Sequence, residues 1–187
     1  NALLMTKLLK NSGSLAEYID ARDVMLTDRK HDGARVLIDP TYARIKERLT
    51  ENLIYVVTGF IASSEDGVTT TLGRGGSDYT AALIGAALDV EKIEIWTDVD
   101  GFMSADPRIV ESAFVLPEVS YEEAMELSYF GAKVIHPETI RPAVQKSIPV
   151  WIKNSFSPDK AGTKISSSSN GTDHPVKGIA SFHNISM

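Results

Sequence analysis

Three glycines in four positions, Gly73, Gly75 and Gly76, run into Ser77-Asp78 and then a stretch of small and apolar residues ending at Leu88. That combination constrains the fold more than any other in the chain. Glycine reaches positive φ at little steric cost and lets the backbone come close to a neighbour or a ligand. Ser77 stands where a helix N-cap belongs, and Tyr79-Thr-Ala-Ala-Leu-Ile-Gly-Ala-Ala-Leu88 is apolar or small nearly all round, which predicts a buried helix. A helix N-terminus offers unpaired N–H groups and partial positive charge to an anion. Arg74 interrupts the glycines with a permanently charged fork that matches a carboxylate or a phosphate. Two readings stay open here, an anion site and a tight turn ahead of a packed helix.

Composition narrows the partners. A net charge of −6 leaves no general basic field for nucleic acid or an anionic membrane. The chain has no cysteine, which excludes disulfides, thiol catalysis and cysteine-based zinc sites, and suits a reducing, cytoplasmic setting. No apolar run approaches the roughly 18 residues of a membrane span. No basic segment followed by an apolar core opens the chain. It begins at Asn1 inside a helical pattern, as a piece of a longer protein would.

Taken in order, the pattern alternates helices with strands. Leu4, Met5, Leu8 and Leu9 form a helical stripe, and Leu15 to Ile19 reads as a short strand. Residues 20–36 read as irregular, with Ala21 to Asp28 as a weak candidate for a cleft wall. Asp39-Pro-Thr41 opens a helix to about Asn52, and the continuous apolar run Leu53 to Val57 predicts a buried parallel strand. Thr58-Gly-Phe60 is a strand-end turn, and Ala62 to Gly67 a hairpin tip. Lys92 to Trp96 alternates into the polar turn Thr97-Asp-Val-Asp-Gly101. Ser120 and Glu123 have capping-box spacing, so a helix runs from there to about Tyr129. Residues 137–145 read as helical and Ile148 to Ile152 as a strand. Polar, serine-rich residues follow, and 177–187 look like the start of another strand pair. Such alternation predicts an α/β layered fold with a mainly parallel sheet.

In such folds ligands lie beyond the carboxyl ends of the strands. The candidates are the turns at Thr58-Gly-Phe60, at Leu72-Gly-Arg74 and at Thr97 to Gly101. Asp98, Asp100 and Asp106 are a candidate Mg²⁺ set or a set of turn caps. Arg108 and Lys133 are candidate phosphate cations or surface charges. His136 reads as a structural hydrogen-bonder, and Trp96 and Trp151 as core. There is no Walker A pattern and no protein-kinase signature.

Together, Gly59-Phe-Ile61, Thr69-Thr-Thr-Leu-Gly-Arg-Gly-Gly-Ser-Asp78, Trp96-Thr-Asp-Val-Asp-Gly101, Asp106-Pro-Arg108 and Phe130-Gly-Ala-Lys-Val-Ile-His-Pro137 closely resemble the aspartokinases of the amino acid kinase fold family. The resemblance implies an incomplete three-layer αβα sandwich of carbamate kinase type. It also implies ATP-dependent phosphorylation of the L-aspartate side chain to 4-phospho-L-aspartate, the entry to lysine, threonine, methionine and isoleucine biosynthesis. Arg74 would then clamp a substrate carboxylate, with Ser77 and the backbone of Gly75 and Gly76 nearby, and Phe60 would wall the aspartate pocket. Asp78 would act in catalysis by orienting the family's lysine. Thr97, Asp98 and Met103 would meet the nucleotide, and Arg108 and Lys133 its phosphates, Lys133 being catalytic as well, with Mg²⁺ carried by ATP and no dedicated metal site.

By the same resemblance, residues 1–154 are part of the catalytic domain, 155–176 a serine-rich linker, and 177–187 the start of an ACT regulatory domain. The parent is expected to be a homo-oligomer. Several features depart from the family. The Lys-Phe-Gly-Gly-Thr motif does not occur in these 187 residues, Met103 replaces a frequent tyrosine, and no amine-binding glutamate lies near Val36. These residues alone are therefore expected to turn over poorly, with apolar helix faces and sheet edges uncovered. The competing readings are a glutamate or acetylglutamate kinase and a non-catalytic ligand-binding subunit.

Overall fold

The computed structural model describes residues 1–50, 52–129, 134–169 and 176–179, and the chain divides into two units, Asn1–Leu88 and Asp89–Met187. The first unit contains α1 (Ala2–Asn11), β1 (Ala16–Ile19), α2 (Ala21–Val24), β2 (Leu26–Thr27), α3 (Ile38–Arg48), β3 (Ile54–Val57), β4 (Ile61–Ser64), β5 (Thr69–Thr71) and α4 (Gly76–Leu88). Parallel strands need a crossover between them, and α3 supplies the one from β1 to β3, which pair from Ala16–Ile54 to Ile19–Val57. β2 pairs parallel with β4, and β4 turns back antiparallel onto β5. Ile19, Met25, Ile45 and Leu83 are fully buried in one core, so the residues before, within and after the crossover close on each other.

Several expectations change in this unit. The segment read as irregular is ordered: the Asp20 carboxylate accepts from the Arg22 N–H at 3.0 Å and caps α2, and β2 joins a sheet. Four helical and two strand residues are too few to leave a periodic signal. The hairpin tip lies at 65–68, with Ala62 and Ser63 inside a strand. β3 is not fully buried, and Ile54 is 47% exposed. Among the described residues β3 pairs along one edge only, which leaves its apolar run half covered. The leucine stripe of α1 points outward, with Leu4, Met5 and Leu8 exposed, while Thr6 is buried and bonds the Ala2 carbonyl at 2.9 Å.

The second unit contains β6 (Ile93–Thr97), β7 (Glu118–Ser120), α5 (Tyr121–Tyr129), a 3₁₀ turn at Pro137–Ile140, α6 (Arg141–Gln145), β8 (Val150–Asn154) and β9 (Thr163–Ser166). The strand order is β6-β8-β9-β7, with β6–β8 and β7–β9 parallel and β8–β9 antiparallel. Across both units four of the six strand pairs described are parallel, which agrees with the expected α/β class. Ile93, Ile95, Val150 and Ile152 point into the core. Trp96, on the other face of β6, is 44% exposed instead of core. Lys153 lies 4.7 Å from its ring centroid, and its indole N–H donates to Glu94 at 3.2 Å.

The linker expected at 155–176 is also corrected. Thr163 and Ile165 are fully buried in β9, at the centre of the sheet. Gly162, at φ 76°, makes that entry possible, because a Cβ there would lie 2.0 Å from the Ile152 carbonyl oxygen. The capping box forms as expected: Ser120 N–H donates to Glu123 at 2.7 Å, and Glu123 N–H to the Ser120 hydroxyl at 3.1 Å. Lys177 then pairs with the same Glu123 at 2.9 Å, and Ile179 N–H donates to the Ser104 carbonyl at 2.8 Å. The rest of 177–187 lies outside the described residues. Among those described, no helix is long and apolar enough to cross a membrane.

Candidate active site

The glycine stretch follows directly from β5. Gly73 and Gly75 take φ of 74° and 69°, which a residue with a Cβ adopts only under strain. The helix then begins at Gly76, so Ser77 sits in its first turn and is not the cap that the sequence suggested. Gly76 and Tyr79 N–H groups return to the carbonyls of Gly73 and Gly75, each at 3.0 Å. The N–H groups of Ser77 and Asp78 have no backbone acceptor among the described residues. Arg74 is exposed, and no described carboxylate pairs with it. An exposed arginine in the loop that leads into such a helix start suits an anion.

Phe60 stands against this helix start in an unusual backbone state. Its φ is 76°, and the Ile61 N–H donates to the Gly59 carbonyl at 2.9 Å, closing a three-residue γ-turn of the rare positive-φ form. A bulky residue held there costs about 1–3 kcal/mol, which surrounding contacts must offset. They are visible. The Phe60 N–H donates to the Thr80 hydroxyl at 3.1 Å, and its carbonyl accepts from Leu72 N–H at 2.9 Å. The ring rests on Gly76, where a Cβ would lie 2.8 Å from ring Cδ2. Gly59 is equally tight on Ser77, its missing Cβ 2.8 Å from the serine Oγ. The structure therefore brings Phe60, Gly76 and Ser77 together, with Arg74 on the adjoining loop.

Asp78 is partly buried in the first turn of α4. Burial pushes its carboxyl above the usual carboxylate range, and no described cation pairs with it. Arg22, in the weakly signalled segment after β1, differs from Arg74 because Asp20 holds it through two contacts at 2.6 and 3.0 Å. That bond holds the Asp20 carboxyl below the usual range.

In the second unit, the turn after β6 carries the residues expected at the nucleotide. The Thr97 hydroxyl donates to the exposed Asp98 carboxylate at 3.2 Å. Met103 is partly buried and pairs with Val115 in an isolated bridge. Arg108 is exposed, and its guanidinium grips Asp106 at 2.6 and 3.0 Å. Lys133 and the rest of Phe130-Gly-Ala-Lys133 lie outside the described residues.

The three aspartates serve separate local structures. Asp106 also accepts from Arg108 N–H at 2.9 Å, and Asp100 bonds Lys160 at 2.7 Å and Asn154 at 2.6 Å. Those two bonds hold the Asp100 carboxyl low. Among the described residues no cluster of three or more possible ligands could hold a metal.

Two threonines matter that no motif marks. Thr80 is buried, donates to the Gly76 carbonyl at 2.8 Å and accepts from Phe60. Thr163 is fully buried, accepts from Phe102 N–H at 2.9 Å and donates to the Leu116 carbonyl at 2.7 Å, pinning the loop after Gly101. A hydroxyl inside an apolar helix is a usable signal for Thr80, since a buried hydroxyl needs partners. Thr163 has no such signal.

An exposed arginine in a glycine loop that leads into a helix N-terminus, on an α/β fold, is an arrangement suited to an anionic small molecule. The chain belongs to the amino acid kinase family, whose model matches residues 1–154. It is 41% identical over 179 residues to lysine-sensitive aspartokinase 3 of Escherichia coli, covering 94% of this chain and 39% of that protein. It is 37% identical over 198 residues to the chloroplastic bifunctional aspartokinase/homoserine dehydrogenase 2 of Arabidopsis thaliana, covering 100% of this chain and 21% of that one. The crystal structure of E. coli aspartokinase III with aspartate and ADP superposes with a TM-score of 0.83 at 40% identity, covering 90% of this chain and 38% of the other. The chain thus spans about a fifth to two fifths of the length of these curated relatives.

Proposed function

We propose that the polypeptide carrying this sequence transfers the γ-phosphoryl group of ATP to the side-chain carboxylate of L-aspartate, forming 4-phospho-L-aspartate. The observation that carries this reading is the exposed Arg74, with no ion-pair partner among the described residues, in the loop that leads into the α4 N–H groups left without a backbone acceptor there, in a chain similar along nearly its whole length to aspartokinases. In the first unit, Arg74 and the N–H groups of Ser77 and Asp78 bind a carboxylate of the substrate, with the backbone of Gly75 and Gly76 nearby, and Phe60 walls the pocket. In the second, Thr97, Asp98 and Met103 meet the nucleotide, while Arg108 and Lys133 supply positive charge for its phosphates.

An aspartate carboxylate oxygen bonds to the γ-phosphorus as the bond to the β,γ-bridging oxygen breaks, and ADP leaves with that electron pair. No protein nucleophile is needed, so the residues act by positioning and by balancing developing charge. Mg²⁺ carried by ATP would supply further positive charge for its phosphates. The desolvated Asp78 carboxylate is suited to hold a cation, which fits the role of orienting a lysine. Residues 1–166 belong to the catalytic portion, since β9 joins its sheet, and the regulatory portion starts near Lys177.

The test is hydroxylamine trapping of the acyl phosphate made by the intact polypeptide. Hydroxamate that depends on ATP and aspartate is expected, with little from glutamate, N-acetylglutamate or UMP. Preference for any of those acceptors overturns the assignment.

A further inference from the structure

We infer that Thr80 is a positioning residue for the acceptor pocket, acting through Phe60 without touching substrate. This rests on the assignment of Phe60 and Arg74 to that pocket. Thr80 is 3% exposed, and its hydroxyl has two bonds, one donated to the Gly76 carbonyl at 2.8 Å and one accepted from the Phe60 N–H at 3.1 Å. It therefore ties the first residue of α4 to the strained turn after β3. Phe60 at φ 76° is not a conformation a phenylalanine keeps unaided, and the Thr80 hydroxyl shares with the γ-turn bond the holding of the planar Gly59–Phe60 peptide.

The remaining restraints act on other atoms. Leu72 N–H holds the Phe60 carbonyl, Gly59 and Ile61 close the γ-turn, and Gly76 supports the ring. Only Thr80 holds the Phe60 N–H among the described residues, and it does so from the same helix turn that presents Ser77 and Asp78. The hydroxyl thus fixes the distance between the phenyl wall and the anion-binding helix start. That distance sets which acceptor fits. Loss of the hydroxyl should weaken acceptor binding more than nucleotide binding, because the nucleotide residues belong to the other unit.

The experiment uses the intact polypeptide and two independent readouts. Amide hydrogen exchange on the unmodified protein needs no substrate: the Phe60 N–H, in a partly exposed loop, should exchange at least roughly tenfold more slowly than an open loop amide. Exchange at the open rate overturns the inference. Kinetics then compare Thr80→Val with Thr80→Ser. The valine should raise KM for the acceptor roughly five- to tenfold, with KM for ATP and kcat within about twofold, and the serine should stay near wild type.

In a Phe60→Gly background, where the strained side chain is gone, Thr80→Val should add little; full additivity refutes action through Phe60. Equal effects on both substrates, or a serine variant as impaired as the valine, also overturn it. If Thr80→Val does not fold, the exchange measurement and Thr80→Ser decide the matter. If the polypeptide prefers another acceptor, the KM comparison is made with that acceptor, so the role of Thr80 and the identity of the substrate are tested separately.

Discussion

Replacing Thr163 by valine keeps the shape of a fully buried side chain and removes its hydroxyl. Two buried backbone groups then lose their partner, the Phe102 N–H at 2.9 Å and the Leu116 carbonyl at 2.7 Å, in a place where both residues are inaccessible to water. An orphaned buried group costs about 1–3 kcal/mol, so the pair costs about 2–6 kcal/mol. The added methyl offsets about 0.8 kcal/mol of that. Relief by rearrangement is blocked on one side by Gly101, where even a Cβ would lie 2.3 Å from the Thr163 oxygen.

The assay is urea unfolding followed by tryptophan fluorescence. Both tryptophans, Trp96 on β6 and Trp151 on β8, lie in the second unit, so the signal reports on the unit that contains Thr163. The midpoint should fall by roughly 1–2 M with an unchanged slope. Thr163→Ser, which keeps the hydroxyl and loses a methyl, should cost only about 1 kcal/mol. A loss under about 1 kcal/mol for Thr163→Val, or a serine variant equally damaged, would refute the idea that these two bonds hold the loop.

Two further outcomes follow from the first unit. Gly76→Ala places a methyl 2.8 Å from the Phe60 ring and 3.1 Å from Leu72 Cβ; crowding of about 1–3 kcal/mol exceeds the helix-propensity gain of at most about 1 kcal/mol. A melting temperature lower by about 2–4 °C is expected, and an alanine variant as stable as the parent contradicts it. Asp78→Asn tests the cost of burying a carboxylate. Because the folded pKa is raised, the penalty is present where Asp78 is charged, above that pKa, and disappears as the pH falls through it. The asparagine variant should be more stable at pH 7, with the advantage shrinking as the pH is lowered, while turnover of the intact polypeptide falls on the order of 10²-fold. Equal stability at all pH values would show that Asp78 is not desolvated.

What the sequence revealed depended on how many residues carried each signal. The long α4, the α3 opening at Asp39-Pro and the Ser120–Glu123 box were legible, because small-residue runs and caps act locally. α2, β7 and β9 were not, since three or four residues do not establish a period, and β9 is masked further by the serines that follow it. Trp96 was misplaced because an aromatic in an alternating strand says nothing about which face is covered. Arg74 could be singled out by its glycines. The Thr80 hydroxyl stood out in an apolar helix, but its partner Phe60 lies 20 positions away and the partners of Thr163 lie 47 and 61 away, and no local pattern encodes those pairings.

The interlock of Gly59 with Ser77 and of Gly76 with Phe60 has a consequence for how tolerance to mutation would be distributed. Each glycine is small for the sake of the other segment's side chain, so neither position can accept a larger residue unless the opposite segment changes as well. In a saturation screen, Gly59, Phe60, Gly76 and Ser77 would fall together as one intolerant block. Loss of activity at any of the four would then report a shared fit, and only compensating pairs drawn from both segments could show which side chain a ligand meets.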